Sequence, residues 1–328
     1  MLKGKKILIT GGTGSWGNEL VRQLIVDRDV SEIRILSRNE HKQVEMSYLW
    51  ASSKVKFILG DIRNIDVVNS ASKDIDVLFH LAALKHVPVC ENNSWEAVSV
   101  NVNGTQTVIN SAMYNNVGHF VLISTDKAVD PFNLYGVTKS LAEKLVINAN
   151  FNYISSTKFV CIRAGNVVGT NGSVIPLFKN QILSKNKITI TDYNMTRYLM
   201  RTSDAIKLIF VALENSVGGE IFVVRMPAVD VKSLAEACIN IYGDEDTEQE
   251  IIGLRPGEKI DEVLVSKNES FYTRIYNDDY YVILPQLSSD FLTDTYAHFP
   301  RMENMEFNSR NAEFISMENL KILIKELN

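Results

Sequence analysis

Two short segments hold residue types suited to proton and hydride transfer. Residues 124–127 read Ser-Thr-Asp-Lys, and Tyr135 follows eight residues after Lys127, with Lys139 four residues further on. A tyrosine and a lysine four residues apart lie on the same face of a helix. We expect the ammonium to lower the pKa of the tyrosine. Such a tyrosine can take a hydroxyl proton while hydride leaves the same carbon.

The residues before this pair could add an acid and a base. Thr125 can hydrogen-bond a substrate hydroxyl, and Asp126 with Lys127 exceeds what hydride transfer alone requires. They suggest an elimination, in which the carbon beside a new ketone loses its proton and a hydroxyl group departs. Lys127 would then act as a neutral amine, its pKa lowered by burial and by neighbouring positive charge from Lys139 and a nicotinamide. The residues alone allow an alternative, a surface ion pair at a strand end.

A glycine-rich loop near the N-terminus predicts where the hydride acceptor binds. Residues 10–17 read TGGTGSWG, follow a strand pattern and open a helix. The glycines permit a tight turn and close approach of a pyrophosphate, and the helix N-terminus offers free N–H groups. In this strand–turn–helix context the loop predicts a dinucleotide site. Its expected contributors are Gly11, Thr13, Gly14, Ser15, Trp16 and Gly17.

The end of the second predicted strand bears on the choice of dinucleotide. NAD sites use a carboxylate there for the ribose 2′-hydroxyl, whereas this chain has Ser37 and Arg38, with Lys42 beyond. An arginine can bind a 2′-phosphate bidentately, so we expect NADP. NAD, bound through Glu40, is the less favoured alternative. Asp61, after the third strand, is placed to accept a hydrogen bond from an adenine amino group or to cap a helix.

Alternating strand and helix patterns position these residues. They predict an α/β fold, a Rossmann-type doubly wound parallel sheet with a smaller C-terminal substrate lobe. We place the cofactor domain at 1–165 and the smaller lobe at 166–328, and later strands such as 219–224 could return to the main sheet. Strands are predicted at 6–10, 32–37, 55–59, 76–80, 119–124 and 158–163, and helices at 17–27, 94–115, 135–149 and 231–242.

Composition narrows the class of protein. The 328 residues are 45% hydrophobic with a net charge of −5, and the absence of a basic tract argues against nucleic-acid binding. The sequence contains no run of about 18 apolar residues, so we expect no membrane insertion. We also find no signal peptide. The three cysteines, Cys90, Cys161 and Cys238, are widely spaced, so we expect neither a metal site nor a disulfide framework. A reducing, cytoplasmic setting fits.

Several motifs together resemble the extended short-chain dehydrogenase/reductases that act on nucleotide sugars. Within that group the sequence is most similar to the soluble UDP-N-acetylglucosamine 4,6-dehydratases that invert carbon 5. The resemblance covers essentially the whole chain. The motifs are GGTGSWG (11–17), SRNE (37–40), GDIR (60–63), AALKHVP (82–88), NVNGT (101–105), STDKAVDPFNLYGVTK (124–139), AGNVVGTNGSVIPLF (164–178), MTRYLM (195–200) and LRPGEK (254–259).

This resemblance implies a role for each residue of the site. Tyr135 with Lys139 would drive oxidation at carbon 4, Lys127 would remove the carbon 5 proton, and Asp126 would protonate the departing carbon 6 hydroxyl. Hydride would then return to carbon 6. The cofactor would also contact Ile62, Ala82, Ala83, Lys85 and Asn101, and UDP-N-acetylglucosamine would contact Lys85, Asn166, Arg197, Arg255 and Glu258. Arg197 could instead cap a helix or pair with Asp204.

Alternatives remain open beside this interpretation. A UDP-hexose 4-epimerase would share the glycine loop and the Tyr/Lys pair without needing Asp126 and Lys127 in these roles. A non-catalytic protein that binds NADP or a nucleotide sugar is a further possibility. The family's membrane-bound relatives retain configuration at carbon 5, and the start of this chain at the cofactor strand favours the inverting branch. The family also implies a homo-oligomer, a dimer or hexamer, and a product used for pseudaminic acid, capsule or O-antigen sugars.

Overall fold

The computed structural model describes residues 1–152, 155–169, 173–254, 257–286, 290–302 and 304–327. The strands, in chain order, are β1 (Lys6–Thr10), β2 (Glu32–Ser37), β3 (Val55–Leu59), β4 (Val77–His80), β5 (His119–Thr125), β6 (Lys158–Ala164), β7 (Lys187–Ile190), β8 (Thr196–Tyr198), β9 (Ile221–Val224), β10 (Ala228–Asp230), β11 (Glu248–Ile251), β12 (Val263–Val265), β13 (Thr273–Ile275), β14 (Tyr280–Ile283) and β15 (Phe307–Asn308). The helices are α1 (Ser15–Val26), α2 (Glu40–Leu49), α3 (Ile65–Ser72), α4 (Val87–Asn92), α5 (Ser94–Val98), α6 (Thr105–Tyr114), α7 (Leu134–Asn152), α8 (Val174–Lys185), α9 (Thr202–Asn215), α10 (Val231–Tyr242), α11 (Lys267–Ser270), α12 (Asp290–Thr295) and α13 (Met317–Lys325).

A large twisted sheet organises the molecule. Within the described ranges it has nine strands in the order β13-β14-β9-β6-β5-β4-β1-β2-β3. The strands from β3 across to β9 are parallel, and β14 and β13 extend the edge antiparallel. The order 3-2-1-4-5-6 is that of a Rossmann fold, with its switch point between β1 and β4. The α/β, Rossmann-type prediction is confirmed, and β9 returns to this sheet from beyond residue 166.

Burial explains why these segments form central strands. The residues of β4 and β9 are buried along their whole length, and in β1 and β6 only the first residue is not. Parallel strands covered by helices on both faces require such continuous apolar runs. Helix α1 lays Leu20, Val21 and Leu24 against the sheet. Cys161 lies in this core and is fully buried.

A second, smaller hydrophobic core lies in the C-terminal half of the chain. It joins α8, β7, α10 and α13 through residues such as Phe178, Ile188, Leu234 and Leu320. Short two-stranded sheets pair β8 with β10, β7 with β11 and β12 with β15. These elements stand beside the carboxyl end of the main sheet and bring C-terminal side chains to the site.

The predicted helices are present, with one irregularity. Helix α10 has the predicted bounds, whereas α1 starts at Ser15, two residues before the predicted start. The long helix predicted at 94–115 is α5 and α6 joined by a π-helical segment at Ser99–Gly104. Single π turns inside helices are frequent at functional sites. In the described ranges we find no helix both long and apolar enough to cross a bilayer.

Candidate active site

The carboxyl end of β5 presents the Ser-Thr-Asp-Lys segment. Thr125 ends the strand, and a single 3₁₀ turn, Asp126–Ala128, follows, capped by the Thr125 hydroxyl, which accepts from the Lys127 N–H at 3.4 Å. Helix α7 then packs against this turn. A Cβ at Gly136 would lie only 2.1 Å from the carbonyl oxygen of Lys127. Glycine at 136 therefore lets Tyr135 approach the turn.

Lys127 lies between acidic side chains. Its Nζ donates to Asp126 Oδ2 at 3.0 Å and to Glu262 Oε1 at 3.4 Å. Burial alone would lower the pKa of Lys127, but the negative charges of Asp126 and Glu262 outweigh it and raise that pKa above its ordinary value. The expected lowering of the Lys127 pKa is wrong, because two carboxyl groups adjoin the amine and one of them, Glu262, lies 135 residues away in the chain. Lys127 rests as an ammonium.

Asp126 and Glu262 form a buried carboxyl pair. Their side chains are hydrogen-bonded to each other, and Asp126 Oδ1 also accepts from the Thr125 hydroxyl at 2.7 Å. Burial and then the charge of Asp126 raise the pKa of Glu262 to about 7. Burial opposes ionisation of Asp126 too, but the Lys127 ammonium and its hydrogen bonds lower its pKa to about 2. Asp126 therefore carries the negative charge of the pair.

Tyr135 is buried beside this cluster. Its hydroxyl is hydrogen-bonded to Thr125, and its pKa is raised to about 12, first by burial and with a further contribution from the Asp126 charge. Lys127 is the cation that most opposes this rise. The expected lowering of the Tyr135 pKa is therefore wrong, since burial outweighs the nearby cations.

Lys139 lies beneath the end of β5. Its Nζ donates to the Ile123 carbonyl at 2.8 Å, which fixes the ammonium to the strand that carries Thr125. Burial lowers the pKa of Lys139 to about 8, although Glu143, one turn further along α7, opposes that shift. This lysine can lose its proton near neutral pH, unlike Lys127.

The glycine loop forms a close-packed turn at the switch point. Gly11 has φ +70°, and a Cβ there would lie 2.6 Å from the backbone of Ala82. A Cβ at Gly17 would be 2.0 Å from the Gly12 carbonyl oxygen. Helix α1 begins after Thr13 and Gly14, and Gly14 has no side chain to cap it, so the first-turn N–H groups of Ser15 and Trp16 receive no hydrogen bond from a capping side chain.

These features fit a dinucleotide. The uncapped helix start offers N–H donors to a pyrophosphate, and a Cβ at Gly14 would have no neighbour nearer than 3.7 Å, which leaves space beside the loop. The hydroxyl of Ser124 is buried with no hydrogen-bond partner among the residues that the structure describes. A bound group at the end of β5 would supply one.

Basic side chains gather at the end of β2. Arg38 Nη1 lies 3.5 Å from both Asp61 Oδ2 and Glu96 Oε1. Lys42 is close enough to Lys85 to contribute to a lowered pKa of Lys85, although burial is the larger cause. Ser37 accepts from Gln43 Nε2 at 2.9 Å. Three cations, Arg38, Lys42 and Lys85, thus lie at this end of the sheet, and two carboxylates lie beside Arg38.

Asp61 and Asn101 are bonded to other residues of this chain. Asp61 pairs with Arg63 at 2.6 Å, which lowers its pKa, and Asn64, not Asp61, caps α3. Asn101, in the π-helical segment, accepts from the Leu84 N–H and donates to the Leu84 carbonyl. It thereby fixes the loop that contains Ala82, Ala83 and Lys85. Ile62 is buried and packs against Gly104.

A cavity of about 310 Å³ opens between the end of β5 and the second core. It brings together Lys127, Asn166, Arg197, Glu258 and Glu262. Its remaining walls are Val87, Pro88, Asn133, Val167, Val168, Ser173, Val174, Ile175, Leu177, Phe178, Thr189, Thr191, Met195, Tyr198, Leu199, Val231, Leu234, Gly257 and Lys259. Arg255, expected beside them, lies outside the described residues.

Arg197 ties the 257–262 loop to the second core. Its guanidinium donates to the carbonyls of Ile260 at 2.9 Å and Lys259 at 3.0 Å, and it lies 3.7 Å from Glu258 and 3.5 Å from Glu262. It does not pair with Asp204, whose carboxylate lies near Arg201 and Lys207.

The same loop is also hydrogen-bonded to the backbone and side chain of residues 129–133, which follow the Ser-Thr-Asp-Lys segment. Lys259 Nζ donates to the carbonyls of Val129 at 2.7 Å and Asp130 at 3.0 Å, and Asn133 Nδ2 donates to the Gly257 carbonyl at 3.0 Å. These contacts span the stretch between Lys127 and Tyr135.

Sequence reasoning missed Glu262. It lies 135 residues from Lys127 in the chain, so spacing could not connect them. The available signal was its place three residues after Lys259, at the end of the LRPGEK motif.

The strand order, the glycine loop and the Tyr135/Lys139 helix define the Rossmann-type architecture of the extended short-chain dehydrogenase/reductases. More narrowly, the chain belongs to the family described as polysaccharide biosynthesis protein, whose model matches residues 7–284.

Relatives within this class carry different activities in their names. The sequence is 43% identical to the UDP-glucose 4-epimerase of Rickettsia bellii, over 82% of this chain and 80% of that protein. It is 40% identical to the inverting UDP-N-acetylglucosamine 4,6-dehydratase of Campylobacter jejuni, over 88% of this chain and 85% of that protein. The X-ray structure of Pen from Bacillus thuringiensis is 37% identical, covers 100% of this chain and 98% of its own, and superposes with a TM-score of 0.90.

Proposed function

We propose that this protein is a nicotinamide-dependent enzyme acting on nucleotide sugars, and specifically a UDP-N-acetylglucosamine 4,6-dehydratase that inverts carbon 5. The product would be UDP-2-acetamido-2,6-dideoxy-β-L-arabino-hexos-4-ulose. The observation that carries the proposal is the adjacent Asp126 and Lys127, hydrogen-bonded at 3.0 Å, with Lys127 facing the cavity and Tyr135 alongside. An acid and an amine base beside a hydride-transfer tyrosine are what elimination across carbons 5 and 6 requires.

Each residue of the site has a proposed task. Tyr135 would accept the carbon 4 hydroxyl proton as a phenolate, so with a pKa of about 12 it must first lose its own proton, and positive charge nearby favours that loss; its bond to Thr125 orients its phenol oxygen. Lys139, held by the Ile123 carbonyl, would supply a positive charge close to the end of β5. Lys127 removes the carbon 5 proton, and Asp126 protonates the carbon 6 hydroxyl. When bound, the nicotinamide would accept the hydride from carbon 4 and return it to carbon 6. Carbon 5 would then take a proton, ultimately from solvent, on the face opposite to the one that lost it.

The cavity walls are suited to the nucleotide. Asn166 is exposed at the cavity and can donate to a diphosphate, while the carboxylate of Glu258 suits ribose hydroxyls. Arg197 holds the backbone of this loop, so we assign it to shaping the nucleotide site. The proposed diphosphate contact of Arg255 rests on the sequence alone.

We propose NADP as the cofactor. The three cations Arg38, Lys42 and Lys85 support this choice, because a 2′-phosphate would add up to two negative charges at the end of β2. In the alternative with NAD, the carboxylate that binds the ribose would be that of Glu40. Glu40 is the first residue of α2 and is exposed.

Proton NMR of the product made from UDP-N-acetylglucosamine in deuterated water tests the function. A carbon 6 methyl signal, with deuterium at carbon 5, is the expected result. Lys127→Ala should lose the carbon 5 deuterium. A product that keeps its carbon 6 hydroxyl would refute dehydration, and carbon 5 exchange in Lys127→Ala would mean that another base acts.

A second candidate is a UDP-hexose 4-epimerase. The observation in its favour is the 43% identity to a relative with that name. An epimerase should convert UDP-glucose to its carbon 4 epimer without exchange at carbon 5, so the same NMR experiment separates the two activities.

We also propose a homo-oligomer, a dimer or a hexamer. Trp95 on α5 and Val137 and Leu141 on α7 are large apolar side chains with 73%, 45% and 45% exposure, and their helices are in contact. Covering such a surface would bury apolar area. Light scattering of the purified protein reports the mass.

A further inference from the structure

Glu262, from the C-terminal half of the chain, is a second carboxyl group beside Lys127. The Glu262 side chain is 6% exposed, and its Oε1 lies 3.4 Å from Lys127 Nζ and 3.5 Å from Arg197 Nε. The Ser309 hydroxyl holds its backbone by accepting from the Glu262 N–H at 2.9 Å. Glu262 lines the cavity and is hydrogen-bonded to the Asp126 carboxyl.

Geometry decides which of the two carboxyl groups is ionised. Hydrogen-bonded carboxyl groups cannot both carry a charge without strong repulsion, so the pair holds a proton. Asp126 receives the shorter bonds, from Thr125 at 2.7 Å and Lys127 at 3.0 Å, whereas the cations nearest Glu262 lie at 3.4 Å and 3.5 Å, so Asp126 ionises more readily. Below a pH of about 7 the resting cluster is therefore a Lys127 ammonium, an Asp126 carboxylate and a neutral Glu262.

The proposed elimination needs these protons in a different place. Lys127 must be an amine, and Asp126 a carboxylic acid. Transfer of a proton from Lys127 Nζ to Asp126 Oδ2, which breaks an N–H bond and forms an O–H bond, produces both at once. Lys127 then takes the carbon 5 proton, Asp126 gives its proton to the carbon 6 hydroxyl, and water leaves. The elimination restores the ammonium and the carboxylate.

We infer that Glu262 is a positioning residue for this proton transfer: neutral Glu262 lets Lys127 give its proton to Asp126, and ionised Glu262 holds Lys127 as an ammonium. The physical reason is the 3.4 Å separation, at which a second negative charge stabilises the cation strongly. The inference rests on the proposed dehydratase function and deepens it.

Other charged groups face Glu262. They are Asp126 and Lys127 from the turn after β5, Arg197 and Tyr198 from β8, and Glu258 through Arg197. The pKa of Asp126 is about 2, and the pKa values of Lys127 and Tyr198 are raised above their ordinary values. Glu262, with a pKa of about 7, and Lys139, with a pKa of about 8, are therefore the groups that titrate near neutral pH.

The pH dependence of kcat in Glu262→Gln tests the inference. Glutamine has the shape of neutral glutamic acid and stays neutral at every pH. We expect wild-type kcat to fall roughly tenfold per pH unit above neutrality, as Glu262 ionises. Glu262→Gln should stay active and lose this decline until Lys139 titrates. A variant with the same alkaline decline as wild type would overturn the inference.

Glu220→Gln is the matched control. Glu220 is also a fully buried carboxyl with a raised pKa, bonded to Tyr296 at 3.0 Å, and it precedes β9 at the opposite end of the sheet from the cavity. Its substitution should leave the alkaline decline of kcat in place. Loss of the decline in this control would mean that the pH effect reports stability, and would also overturn the inference.

A spectroscopic measurement does not depend on turnover. In Glu220→Gln protein with ¹³C-carboxyl glutamate, infrared spectra should show a protonated glutamic acid band that disappears as the pH rises through about 7. If the band is absent at about pH 6, where ordinary glutamates are ionised, or persists well above neutrality, a neutral Glu262 that titrates is refuted. This measurement applies even if Glu262→Gln fails to fold. Product NMR tests the dehydratase function separately.

Discussion

Removing the Lys127 ammonium should destabilise the protein in a manner that depends on pH. Lys127→Met keeps most of the side-chain volume and deletes the charge. The lysine is 25% exposed, whereas Asp126 and Glu262 are 2% and 6% exposed. The substitution therefore leaves a nearly buried carboxyl pair without its cation.

The distances give the size of the effect. At an effective dielectric constant of about 20, unit charges separated by the 3.0 Å between Lys127 Nζ and Asp126 Oδ2 attract by about 5.5 kcal/mol. Desolvation of the lysine offsets part of this, and removing one partner of a buried pair costs about 3–5 kcal/mol. Since Lys127 is partly exposed, we expect about 3 kcal/mol at pH near 7.5.

The sign of the pH effect follows from the carboxyl groups. In wild type the pKa of Asp126 is lowered to about 2, so its ion pair persists in mild acid. In Lys127→Met burial should raise that pKa above its unfolded value, so the folded variant takes up protons as the pH falls below neutrality. The deficit should then shrink by up to about 1.4 kcal/mol per pH unit until Asp126 is protonated.

Urea unfolding of both proteins at several pH values measures this deficit. Lys187→Met is the control, because Lys187 pairs with Glu250 at the same 3.0 Å on an exposed surface and should change stability little. Equal midpoints for wild type and Lys127→Met at neutral pH, or a deficit that does not vary with pH, would refute the ion-pair argument.

Further substitutions test other parts of the site. Tyr135→Phe should lower kcat about 10²- to 10⁴-fold and leave no reduced cofactor in absorbance spectra, since the carbon 4 hydroxyl proton has no acceptor. Arg38→Ala should weaken NADP relative to NAD by roughly 10- to 100-fold in calorimetric titrations; unchanged NADP affinity would exclude a 2′-phosphate contact. Arg163→Met leaves the buried carboxylate of Glu143, now 2.7 Å away, unpaired and should cost about 3–5 kcal/mol in urea unfolding.

Local pattern was sufficient for most of the fold. Strand patterns located β1, β2 and β3 with the observed bounds. The apolar run is continuous in β1, which is a central parallel strand buried on both faces, whereas β3 lies at the edge of the sheet and is only partly buried. The π-helical segment at Ser99–Gly104 was not predicted. Its hydrogen-bond register is set by packing that helical periodicity does not encode.

The candidate site was predictable in residue type but not in charge state. Thr125, Asp126, Lys127 and Tyr135 come together because one strand end and one helix start carry them. Their pKa values depend on burial and on Glu262, which reaches the site only through the folding of the C-terminal half. Both pKa directions inferred from neighbours in sequence were consequently wrong.

The hydrogen bonds of Lys259 and Asn133 join the loop at 257–259 to the backbone between Lys127 and Tyr135. If that loop holds the nucleotide, binding of the uridine diphosphate also positions the backbone between Lys127 and Tyr135, and so couples nucleotide binding to alignment of the sugar. Binding energy from a part of the substrate that never reacts can then be used to order the reacting groups. N-acetylglucosamine 1-phosphate, which keeps the sugar and lacks the uridine, should accordingly lose turnover at saturation as well as affinity.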